Sequence, residues 1–188
     1  MDTRSTDGSE GGVRKITMPL TDGVIRGLSV GDFVSLTGVL YTARDAAHKR
    51  LTEMLERGEE LPFSLPGSAV YYAGPSPARP GAVIGSIGPT TSGRMDAYSP
   101  ALISRGLKVM IGKGRRGDAV RRAIAEHCGL YLVAVGGAAA LISRSVSGAA
   151  VIAFHDLGTE AIRRLEVGGF RAVVAIDSRG RDIYSRLP

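Results

Sequence analysis

The chain has 188 residues, 44% hydrophobic and 22% charged, with a net charge of +6. That balance suits one soluble domain with its own apolar core, and its longest apolar runs, Leu130–Val135 and Gly148–Phe154, fall far short of the roughly 20 residues of a membrane span. A single cysteine, Cys128, excludes an internal disulfide and a self-contained multi-cysteine cluster site, and His48, His127 and His155 lack metal-ligand spacing.

Residues 1–12, MDTRSTDGSEGG, are polar and rich in Gly and Ser, without the apolar centre of a secretory signal. They read as a flexible arm ahead of one domain over 13–188, and the expected location is cytoplasmic. Val13–Pro19 is expected as a first strand and Thr21–Val30 as a turn with a short helix. Phe33–Leu40 is rich in β-formers and reads as a strand. Over 43–57 the stripe Ala46, Ala47, Leu51, Met54 and Leu55 predicts an amphipathic helix, ended by Gly58 and Pro62. Thr42 is its expected cap.

A short strand is expected over Ala69–Ala73, then a rigid Pro-rich loop over 74–81, then a strand over Ala82–Ile87. Ser99–Arg105 reads as a helix, with Ser99 as cap and Pro100 in the first turn. Leu107–Ile111 is a predicted strand and Asp118–Cys128 a helix. Leu130–Val135, Ala150–Phe154 and Arg171–Ile176 are apolar strands, with a short helix expected over Glu160–Val167 and a hairpin turn at 177–180. Such irregular alternation indicates a mixed α/β layered domain.

Three loops, each after an apolar strand, carry the polar chemistry, and strand ends are where rigid scaffolds display functional groups. In Thr42–Arg50, Arg44 and Asp45 sit at a strand-to-helix junction, where a guanidinium beside a helix N-terminus suits a carboxylate, and His48 follows one turn later. In Gly88–Asp96, the hydroxyls of Thr90, Thr91 and Ser92 lie between glycines, followed by Arg94, a potential bidentate carboxylate clamp. In Gly112–Asp118, Lys113 stands between two glycines. Each loop alone is compatible with an ordinary surface turn. Together they supply chemistry for a dicarboxylate. The segment 105–122 holds seven basic residues against Asp118, as much net charge as the whole chain. It suits an acidic partner, an anionic substrate or a solvated face. With 5% aromatics and no Trp, the stacking platform of a nucleic-acid binder is missing.

The runs Gly38–His48 (GVLYTARDAAH), Tyr72–Pro75 (YAGP), Gly88–Asp96 (GPTTSGRMD) and Gly112–Gly114 (GKG) resemble, in this order, motifs of the beta subunit, or C-terminal domain, of class I (iron–sulfur) fumarate hydratases and L-tartrate dehydratases. The resemblance covers residues 13–188. It implies an α/β, mixed-sheet swivelling β/β/α domain that closes over a [4Fe–4S] cluster held by a partner alpha subunit, in an α2β2-like hetero-oligomer, with no metal bound by this chain. It also implies a hydro-lyase that hydrates fumarate reversibly to malate, inactive without the alpha subunit, with tartrate as the alternative substrate. By the resemblance Arg44, Arg94 and Lys113 hold the substrate carboxylates. Thr90 is then the base at the carbon losing a proton, with Asp45, His48 and Thr91 in support. A threonine is a weak base, so that role needs neighbouring cations, Lys113 first. Arg115 and Arg116 are expected to face an acidic alpha-subunit surface. From a different class, a non-catalytic anion-binding or regulatory module is the competing reading, and no nucleic-acid or membrane partner is expected.

Overall fold

The computed structural model describes residues 9–10, 12–134 and 139–186. Eight strands form one sheet: β1 (Ser9–Glu10), β2 (Val13–Thr17), β3 (Phe33–Thr42), β4 (Ala69–Tyr71), β5 (Val109–Gly112), β6 (Leu130–Ala134), β7 (Val146–Ala153) and β8 (Ile162–Ile176). The helices are α1 (Asp22–Arg26), α2 (Asp45–Glu56), α3 (Ser99–Ser104), α4 (Asp118–Glu126) and α5 (Ala139–Arg144). None of the described helices is long and apolar enough to cross a membrane. Most of the expected arm lies outside the described residues; Ser9 and Glu10 pair antiparallel with Arg14 and Val13.

β3, β4, β5 and β6 run parallel, side by side. The long strand β8 runs antiparallel to β3 on one edge and to β6 and β7 on the other, so the sheet closes on itself as a barrel. The two-residue period of a strand then divides the apolar residues into two cores. Leu36, Leu40, Tyr71, Ile111, Leu132 and Phe170 fill the barrel, where the Tyr71 and Phe170 rings meet edge-on at 5.1 Å. Val70, Tyr72, Met110 and Tyr131, their alternates, face outward and are covered by Ala47 and Leu51 of α2, Leu102 of α3, and Val120 and Ile124 of α4. Burying each large side chain is worth about 1.5–3 kcal/mol, so both layers are needed to hold the closed sheet.

The mixed α/β class follows the sequence expectation, and three local expectations do not. Over Glu160–Val167 the expected helix is instead the first half of β8, because this stretch has an occupied ladder on both edges, against β3 and β7. Two extended neighbours outweigh a weak helical propensity. The expected strand at Ala82–Ile87 is irregular: β4 is flanked by β3 and β5, and 82–87 joins no ladder. The loop folds back on itself, with Ser76 N–H donating to Ser86 O at 3.0 Å. Lys108 lies outside β5, its ammonium bonded to His127 O (2.6 Å) and Asp22 (2.8 Å).

Candidate active site

Because β3, β4 and β5 are parallel, their C-terminal ends lie along one rim of the barrel, and the three polar loops leave from that rim. Arg44 occupies the position before α2 in extended conformation, and Asp45 opens the helix. The Asp45 carboxylate accepts from Arg94 Nε at 2.7 Å and lies 3.9 Å from Arg44 Nε. One carboxylate therefore gathers the two arginines that the sequence placed 50 residues apart. The other pair, Thr90 and Lys113, is joined through the backbone. Lys113 N–H donates to Thr90 O at 3.3 Å, Ser92 N–H to Lys113 O at 2.9 Å, and Thr91 bridges Lys113 in parallel register. The Lys113 side chain is exposed, with no ion pair among the described residues. Thr90 is half-buried and anchored by its N–H to Tyr72 O at 2.7 Å.

Gly112 is required where the second and third loops touch. A Cβ at this position would stand 2.0 Å from Ser92 Oγ and 3.0 Å from the Tyr72 ring. Gly74 plays the same part for the first loop, where a Cβ would come within 3.1 Å of Arg44 Nη1 and 2.8 Å of Thr159 O. The short YAGP and GKG motifs are thus sites of close approach.

Behind the rim, His48 is fully buried and bonds the Arg44 carbonyl twice, through its backbone N–H at 2.8 Å and through Nδ1 at 2.9 Å. The second bond makes Nδ1 the protonated nitrogen and leaves Nε2 unprotonated, packed near Tyr72 and Tyr98 without a hydrogen-bond partner. Burial lowers the His48 pKa to about 4, outweighing the opposing bond to the Arg44 carbonyl, so the ring is neutral near pH 7.

Two groups in this region were not legible as site residues. Glu160 arrives from the turn before β8; it accepts from Ala46 N–H at 2.9 Å and lies 3.6 Å from Arg44. It thereby caps α2, the role expected of Thr42. Thr42 is buried, and its hydroxyl accepts from Arg163 N–H at 3.1 Å. Arg116 is the second. Its side chain is wholly buried, donating to Asp96 at 2.6 Å, Ser99 Oγ at 2.7 Å and Tyr72 OH at 3.3 Å, while Asp96 also takes Gly117 N–H. The expectation that Arg116 faces a partner subunit is therefore wrong: it ties the second loop to the third from inside. Arg115 is exposed, 5.7 Å from the Tyr184 ring. Ser99 does not cap α3; its hydroxyl donates to Met95 O and receives Arg116. No sequence signal marked Arg116 as buried: its pairing with Asp96 is visible only once the loops are together.

The family model of the fumarase C-terminus matches residues 3–187. The chain belongs to the fumarase C-terminus family. It is 42% identical over 159 residues to "Fumarate hydratase 2" of Leishmania major and 40% identical over 156 residues to "Fumarate hydratase class I, anaerobic" of Escherichia coli. These alignments cover 84% and 82% of the chain but only 28% of either relative, so the fumarase C-terminal domain described here spans just over a quarter of their length. It is also 40% identical over 174 residues to the "Putative L(+)-tartrate dehydratase subunit beta" of Methanocaldococcus jannaschii, covering 89% of both chains.

A [4Fe–4S] cluster does not fit the side chains of this fumarase C-terminal domain. Cys128 is buried at the N-terminal end of β6, the end of the barrel opposite the rim, with Sγ 3.9 Å from Asp22 O. Among the described residues no group of three or more His, Cys, Asp or Glu could hold a metal ion.

Proposed function

We propose that this chain is the beta subunit of a two-subunit [4Fe–4S] hydro-lyase that hydrates fumarate reversibly to malate, with the cluster on an alpha subunit and with activity only in the complex. The observation that carries this reading is the convergence of Arg44, Arg94, Thr90 and Lys113 on one rim through Asp45 and the paired loop backbones. The near full-length alignment with a protein named as a separate beta subunit supports the two-chain arrangement.

In this reading the rim binds a four-carbon dicarboxylate by charge. Arg94 gives Nε to Asp45, leaving its terminal nitrogens for one substrate carboxylate, and the exposed Lys113 ammonium meets the other. Arg44 is held between Asp45 and Glu160, so its charge is placed but part-neutralised until substrate arrives. Thr90 takes the proton from carbon. Its hydroxyl is a poor base when free, and the adjacent Lys113 lowers the cost of the alkoxide once the rim is closed from water. Asp45, His48 and Thr91 serve as positioning residues: Asp45 through the two arginines, His48 through the Arg44 carbonyl, Thr91 through its bridge to Lys113.

Tartrate is the second substrate reading, favoured by the beta-subunit relative. Anaerobic co-expression with the cluster-bearing alpha subunit, followed by assays on fumarate and on tartrate, separates the two. Thr90→Ala should lower turnover by about 10²-fold or more with the complex intact. An intact, cluster-loaded complex that turns over neither acid would overturn the catalytic reading and leave the anion-binding module.

A further inference from the structure

Beside the Arg44 end of the rim, a cavity of about 450 Å³ lies between the Pro75–Gly85 loop, residues 149–151 of β7 and the turn at 155–161. Its walls are mostly apolar, with Pro75, Pro77, Val83, Ile84 and Val151 contributing. The charged or titratable groups lining it are Arg163 and His155, with no carboxylate among them. The two acids of the adjoining turn are engaged elsewhere: Asp156 takes both terminal nitrogens of Arg50 at 2.8 Å, and Glu160 is held by Arg44 and α2. Arg163 is thus a part-buried cation with no ion-pair partner among the described residues.

The hydrogen bonds of Arg163 define which part of it is available. Nη1 donates to Thr159 O at 3.2 Å and Ala161 O at 3.1 Å, and Nη2 to Gly158 O at 3.0 Å. Of five guanidinium N–H groups this leaves Nε–H and one Nη2–H. Nε and Nη2 share one edge of the guanidinium, the edge through which Arg57 binds both oxygens of Glu59. A guanidinium held by three carbonyls with two N–H groups left over is preorganised for a carboxylate. Burial lowers the Arg163 pKa, with no acid nearby to offset it. The opposite wall is also set in place: Gly85 packs so tightly on the Ser76 and Pro77 carbonyls that a Cβ would come within 2.1 Å and 2.6 Å of them.

We propose that this cavity is a second anion site, next to the rim but built on a different cation, which takes a small monocarboxylate with an apolar body, the carboxylate on Arg163 and the hydrocarbon against Val83, Ile84 and Val151. The reading holds whether or not the rim is catalytic.

The test is an NMR titration of the full chain with butyrate, with butyramide as the neutral isostere, following Arg163 Nε–H and the amides of Gly158 and Thr159. Butyrate should shift these signals saturably, with Kd on the order of 1–10 mM, and butyramide at least about tenfold more weakly. Fumarate in the same range should shift the Arg44 and Arg94 signals first. Arg163→Met should abolish the butyrate shifts, but it also frees three carbonyls and risks the fold. Val151→Glu avoids that risk. Val151 is directly opposite Arg163 in the ladder and on the same face, so its carboxylate should take the two remaining N–H groups and exclude butyrate, whereas Val151→Gln should still bind. Equal shifts with butyrate and butyramide, no saturation, or unchanged butyrate binding in Val151→Glu would each overturn the proposal.

Discussion

Asp96→Asn removes the one carboxylate facing a guanidinium whose side chain has no exposed surface. The Arg116 charge would stay in place, held by Ser99 Oγ, Tyr72 OH and the sulfur of Met110 between the faces of Tyr72 and Tyr131. Stripping the partner from a buried charge costs about 3–5 kcal/mol, because the remaining ion is desolvated without compensation. Asp96 keeps 23% of its side-chain surface exposed, so water recovers part of the loss and the expected cost is at the low end, about 3 kcal/mol. In urea, with a slope of about 2 kcal/mol/M, the midpoint should fall by about 1.5 M at unchanged slope. The double variant Asp96→Asn/Arg116→Met leaves no orphaned charge and should cost less than the sum of the singles, by about 2 kcal/mol. A loss below about 1 kcal/mol for Asp96→Asn, with no coupling in the cycle, would mean the pair is solvated and does not lock the two loops together.

Further outcomes follow from the same geometry. The folded-state pKa of His48 is depressed to about 4, below an unfolded value near 6.5, so the unfolded chain binds the extra proton. The His48 contribution is therefore complete above about pH 6.5 and is lost as pH falls towards 4, by about 3 kcal/mol in all; urea melts at stepped pH should show this loss, and His48→Gln should remove it. Gly112→Ala should cost about 2 kcal/mol through the clash with Ser92 Oγ, and thermal melts should show Ser92→Ala recovering part of it. Lys113→Met, at an exposed side chain, should leave the unfolding midpoint within about 0.5 kcal/mol of the parent. In the reconstituted complex the same change should raise KM for the dicarboxylate about 10–100-fold, the loss of one charge-assisted bond.

The residues of the rim were legible in the sequence because their chemistry is local. Arg44 and Asp45 straddle a strand-to-helix junction, Lys113 stands between glycines directly after β5, and Thr90 lies in a hydroxyl-rich run bounded by glycines, so short-range pattern was enough to single them out. Apolar, β-rich runs likewise marked most strands, and the stripe through Ala47 and Leu51 marked α2. What such runs cannot carry is which edges are paired. Ile162–Val167 is a strand because β3 and β7 flank it, and 82–87, equally apolar in sequence, joins no ladder. The roles of Glu160 and Arg116 are of the same kind. Glu160 caps a helix that begins 115 residues earlier, and Arg116 turned from a surface charge into a buried clamp when barrel closure brought Asp96 to it. Local propensity and composition act over a few residues and determined the elements and the chemistry on offer. Closure of the sheet, a long-range event driven by burial of two apolar layers, decided which charges face water, which face each other, and that Arg163 has no ion-pair partner among the described residues.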